Sequence, residues 1–82
     1  MKILSTPIPD LIVAETTPIT DRRGVFLRLY CEKELAPVIG GRRILQVNHS
    51  QTARVGAIRG MHFQNPPHSE MKFVRCIKGK VW

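Results

Sequence analysis

Arg59-Gly60-Met61-His62-Phe63-Gln64-Asn65-Pro66-Pro67-His68-Ser69-Glu70-Met71-Lys72 decides the fold class of this chain. Its two apolar-rich ends read as strands, and Asn65-Pro66-Pro67-His68 between them reads as a loop, because consecutive prolines cannot donate to a ladder. Working outward, Ala57 to Gln64 is one expected strand, interrupted by Gly60, and Met71 to Lys78 is the next. Gly79 turns the chain into Lys80-Val81-Trp82, where a further strand would start.

The N-terminal side repeats the pattern. Leu11-Ile12-Val13-Ala14, Val25 to Tyr30 and Ile44 to Asn48 read as strands, with a turn at Asp21-Arg22-Arg23-Gly24 and a loop at Gly40-Gly41. Glu32-Lys33-Glu34-Leu35-Ala36 is the one helical stretch, expected to stop at Pro37. Six glycines and six prolines in 82 residues favour short strands over long helices. The expected class is all-β, a barrel or sandwich, with residues 1–82 forming a single partial domain. Strand edges left open by a partial barrel favour association or strand exchange.

Composition narrows the function classes. No apolar run approaches the ~20 residues of a membrane-spanning helix, so no membrane partner is expected. Met1 to Pro7 lacks the apolar core of a signal peptide. Cys31 and Cys76 stand apart, outside any C-x-x-C pattern, and read as reduced thiols of a cytoplasmic protein. The net charge of +7 favours anionic partners. Its carriers are scattered, as Arg22-Arg23, Arg42-Arg43, Arg54, Arg59, Arg75, Lys78 and Lys80, with no nucleic-acid motif, so nucleic acid is not the expected partner.

Three groups of residues carry chemistry. His62 is a natural proton acceptor, since imidazole titrates near neutrality, and Lys72 is a natural point charge for a developing oxyanion. The pair suits removal of a proton alpha to a ketone; otherwise His62 is a hydrogen-bonded core histidine and Lys72 a solvated strand end. Gln46, Asn48 and Ser50 share parity, so one strand face carries three polar groups, lining either a cavity or the solvent side. Arg23 suits pyrophosphate, or is a turn arginine in water. Arg59 and His62 have opposite parity, so both face one pocket only where the chain departs from regular geometry at Gly60.

Asp21-Arg22-Arg23-Gly24-Val25-Phe26, Gln46-Val47-Asn48-His49-Ser50, Arg59-Gly60-Met61-His62-Phe63-Gln64 with Pro66-Pro67-His68, and Lys72-Phe73-Val74-Arg75 with Gly79 occur in order. Together they resemble the N-terminal part of the dTDP-4-dehydrorhamnose 3,5-epimerase family. The resemblance implies a cupin-type jelly roll, incomplete here as roughly its N-terminal half, strand-exchanged or dimeric. It implies conversion of dTDP-4-dehydro-6-deoxy-glucose to dTDP-4-dehydro-L-rhamnose by inversion at carbons 3 and 5, with no metal or other cofactor, in a homodimer serving dTDP-L-rhamnose biosynthesis. Carried over by motif, His62 is the catalytic base and Lys72 the enolate stabiliser, while Arg23, Gln46, Asn48, Ser50 and Arg59 contact the sugar nucleotide. The family's carboxylate partner of the base and its acid Tyr fall beyond residue 82, and Tyr30 lies too early to replace that Tyr. Arg28 stands where the family usually carries a Glu, a reversal of charge at a nucleotide-facing position.

Three other readings compete. The chain is a non-catalytic fragment for nucleotide-sugar binding or dimerisation, a metal cupin using His62, His68 and Glu70, or a basic nucleic-acid module. Against the metal cupin, Lys72 occupies the spacing before Gly79 where such sites carry a Glu, and Gln64 is a poor ligand.

Overall fold

A computed structural model describes all 82 residues, in two compact units, Met1–Asn48 and His49–Trp82. All of the regular secondary structure lies in the first. It comprises four short strands in two antiparallel pairs and a single helix.

Strand β1 (Lys2–Ser5) pairs with β2 (Ile12–Glu15), with Lys2 opposite Glu15 and Ser5 opposite Ile12. Leu4, Ile12 and Ala14 are the half-buried members, and their neighbours face water, as the period-2 alternation of a strand dictates. Thr6 secures the connection. Its Oγ1 accepts from the Ile8 amide at 3.2 Å and donates to the Leu11 carbonyl at 2.9 Å.

Strand β3 (Ile19–Asp21) pairs with β4 (Gly24–Phe26) around the two-residue turn Arg22-Arg23. Gly24, with φ of 131°, supplies the backbone conformation that closes this turn and that a side chain would strain. Asp21 Oδ1 accepts from the Arg23 amide at 2.8 Å, the local bond that makes Asp favourable in turns.

Helix α1 (Glu32–Ile39) begins where the sequence suggests and ends later. Pro37 lies inside it, so the expected stop at Pro37 is corrected. Proline removes one helical hydrogen bond, but one further turn places Ile39 beside Leu35, four residues earlier, on the same helix face. These are the buried apolar residues of the chain, 2% and 5% exposed. The stop is Gly40, whose left-handed φ of 57° lets its amide bond to the Ala36 carbonyl at 3.1 Å.

Glu34 ties the first unit together. Its carboxylate pairs with the Met1 ammonium and with the Arg28 guanidinium. The ammonium first, then Arg28, hold its acid at about 2, against an ordinary 4.5. A depressed carboxylate stabilises the folded state above its unfolded value, and that contribution disappears as pH falls through its folded value. The expected result is that the Glu34 carboxyl carbon titrates near 2 by NMR and that the amide shifts of α1 change with it, half-way at about pH 2. Titration of Glu34 at 4.5 would show that these pairs do not persist in solution.

The other expected strands are corrected. Val25 to Tyr30 shortens to β4, and residues 44–48, 57–64 and 71–78 form no strand. A strand exists only through its ladder, and no segment of residues 1–82 pairs with these three. Their apolar side chains face water instead, with Leu45 84% and Val47 88% exposed. The molecule is therefore an all-β arrangement with one short helix and a two-residue core. Burial of one such side chain is worth roughly 1.5–3 kcal/mol, so this core is small.

Candidate functional site

The second unit brings His62 and Lys72 together. The Lys72 ammonium donates to the main-chain carbonyl of His62 at 2.9 Å. It also stands 3.0 Å from the Glu70 carboxylate. The contact with residue 62 is to the backbone, which leaves the imidazole clear of it. Both His62 and Lys72 are solvent-exposed.

Arg59 lies three residues before His62, and its guanidinium reaches the Gln51 carbonyl at 3.5 Å. The intervening Gly60 has φ of 113°, outside extended geometry. An added Cβ there would meet His62 Nδ1 at 3.9 Å. With no strand over 57–64, strand parity does not fix the relative directions of Arg59 and His62. Ser50 belongs to the same unit and is exposed.

The first unit holds Arg23, Gln46 and Asn48. Arg23 grips Asp21 through Nε at 3.0 Å and Nη2 at 2.5 Å. This charge-assisted pairing lowers the Asp21 acid and raises Arg23. A guanidinium has five donors, so the remainder of the fork stays open to water. Gln46 and Asn48 are exposed at the end of this unit, outside any strand. Arg28 pairs with Glu34.

Two partners escaped the sequence reading. Asp21 is the anchor of Arg23, and Glu70 the anchor of Lys72. In each pair the acid lies two residues before the base. That spacing was the available signal.

Against this geometry, residues 5–82 match the family described as dTDP-4-dehydrorhamnose 3,5-epimerase. The chain belongs to that family. It is 34% identical over 83 aligned positions to the dTDP-4-dehydrorhamnose 3,5-epimerase of Shigella flexneri, covering 100% of this chain and 45% of that protein. It is 30% identical to the Escherichia coli K12 protein of the same name, covering 100% of this chain and 44% of the relative. A dTDP-4-dehydrorhamnose 3-epimerase of Streptomyces niveus is 41% identical over 73 residues, covering 85% of this chain and 35% of that protein. The chain therefore spans less than half the length of these epimerases. No solved structure matches it significantly. No helix is long and apolar enough to cross a membrane.

Proposed function

We propose that this chain carries the base and the enolate-stabilising cation of a dTDP-4-dehydrorhamnose 3,5-epimerase. The observation that carries the reading is the contact of Lys72 Nζ with the His62 main chain, 2.9 Å long, within a family match covering residues 5–82. The substrate is dTDP-4-dehydro-6-deoxy-glucose. His62 takes the proton from carbon 3 or carbon 5, each alpha to the ketone at carbon 4. The C–H pair moves into the ring as the enolate forms, and its charge collects on the carbonyl oxygen. Lys72 donates a hydrogen bond to that oxygen. A proton returned to the opposite face inverts the carbon.

That return needs an acid, and the imidazolium needs a carboxylate partner. Both belong to the family pattern beyond residue 82, so the reading assigns them to polypeptide outside residues 1–82. Arg23, Gln46, Asn48, Ser50 and Arg59 hold the sugar nucleotide, with Arg23 on the pyrophosphate. Inversion of both carbons is the reading taken, although the Streptomyces niveus relative is named as a 3-epimerase.

The jelly roll, the homodimer and the cytoplasmic location belong to the same proposal. Exposed Leu45 and Val47 in the first unit, and Ile58 and Val74 in the second, support the homodimer, since apolar side chains left in water favour a covering partner. A non-catalytic binding or dimerisation fragment is less favoured, because the matching relatives are named as epimerases.

The test is deuterium wash-in from heavy water at carbons 3 and 5 of dTDP-4-dehydro-6-deoxy-glucose, followed by NMR. Exchange above a protein-free control is expected at both carbons. Exchange at carbon 3 alone would reduce the assignment to a 3-epimerase. Absence of exchange at both would overturn the catalytic reading in favour of a binding fragment.

A further inference from the structure

We propose that Glu70 is a positioning residue for Lys72, aiming its ammonium at the oxygen that gains charge; this rests on the epimerase reading above. Lysine is a compact charge on a flexible four-carbon stem. Unanchored in water, it samples many rotamers and presents its donors in no fixed direction. Here Lys72 Nζ has two fixed neighbours, Glu70 Oε1 at 3.0 Å and the His62 carbonyl at 2.9 Å. An ammonium has three N–H donors. One is directed at the His62 carbonyl, and the ion pair with Glu70 restricts rotation about that bond, which narrows the directions left to the others. Because the hydrogen-bond acceptor is the backbone of residue 62, the ammonium is held beside the segment that carries the imidazole.

The two neighbours differ in kind. The His62 carbonyl belongs to the backbone and persists through side-chain substitution. Glu70 is the removable anchor. The pair is half-exposed, with side-chain exposures of 43% for Lys72 and 46% for Glu70. A pair this wet contributes little to folding, so removing Glu70 tests direction rather than stability. Positioning also explains why an acid stands beside a group meant to stabilise negative charge. Its charge weakens the local positive field, and its ion pair restricts where the ammonium points. Misplacement of a catalytic group by about 1 Å costs up to about a hundredfold in rate.

The experiment compares Glu70→Ala, Glu70→Gln and Lys72→Met in the intact protein. Two readouts are taken: kcat and KM for deuterium wash-in at carbons 3 and 5, and the NMR signals of the lysine side-chain ammonium nitrogens. The Lys72 signal is the one missing in Lys72→Met. In Glu70→Ala it is expected to move towards the position of unpaired lysines, with kcat down about tenfold and KM held within about threefold. Glu70→Gln keeps a hydrogen-bond acceptor, so it is expected to recover most of the lost kcat.

An unmoved ammonium signal in Glu70→Ala, or an unchanged kcat there while Lys72→Met is impaired, would overturn the positioning role alone. A rise in KM with kcat unchanged would also overturn it, since Glu70 would then serve substrate binding. Absence of exchange by the unsubstituted protein would overturn the epimerase reading and the positioning role with it.

Discussion

Replacing His62 with Asn is expected to abolish deuterium exchange at both carbon 3 and carbon 5. Asparagine is similar in reach and keeps hydrogen-bonding capacity, but its amide does not accept a proton near neutral pH. A positioned general base contributes typically about 10²–10⁴-fold, so wash-in should fall by that factor at each carbon. Nucleotide binding should stay within a few fold, because the residues proposed to hold the sugar nucleotide are others. The structure makes this substitution clean. Lys72 touches the main-chain carbonyl of residue 62, not its side chain, at 2.9 Å. That contact survives the change, so the cation stays in place while the base is removed. Wash-in curves for both carbons, with dTDP affinity measured in parallel, check it. Exchange retained at either carbon would remove His62 from that half of the reaction.

The legible parts of the fold are those whose signal is local. Leu11 to Ala14 announced a strand through a β-branched run, and β2 forms there within one residue. Its partner, Lys2–Ser5, is not legible, since four mixed residues carry too little alternation to stand out. The turn Asp21–Gly24 was legible because Asp and Gly have specific turn chemistry. The start of α1 at Glu32 was legible too, but its end was not. Pro37 reads as a stop, whereas Gly40 and the burial of Ile39 beside Leu35 set the boundary. Here tertiary packing overrides a local preference.

The three later strands failed for a different reason. Ile44 to Asn48, Ala57 to Gln64 and Met71 to Lys78 have the composition of strands, but composition cannot supply the neighbouring ladder. In the site, the sequence suggests His62 and Lys72 on two strands joined by the Pro-Pro loop; the strands are absent, yet Lys72 reaches the residue 62 main chain. Their roles are proposed, while their proximity is observed. From the sequence Glu70 reads only as a metal ligand. Its place beside Lys72 depends on side-chain direction, which residue type alone does not state.

Lys72→Met separates stabilisation of the enolate from binding of the substrate. Methionine preserves much of the length and apolar stem of lysine but has no donor. The ketone oxygen of the substrate carries little charge, and the enolate oxygen carries a full one on the way to the transition state. An interaction that strengthens only along that path raises kcat and leaves ground-state binding almost untouched. Removal of one oxyanion donor costs about 10²–10³ in kcat, and that loss is expected here with KM within about threefold. The substitution also strips Glu70 and the His62 carbonyl of their partner. Both face water, so hydration replaces the lost bonds and little folding penalty follows. Steady-state wash-in at several substrate concentrations gives kcat and KM separately. A large rise in KM with turnover intact would mean that Lys72 holds the substrate in its ground state, most simply through its anionic nucleotide, and the enolate would then need a different cation.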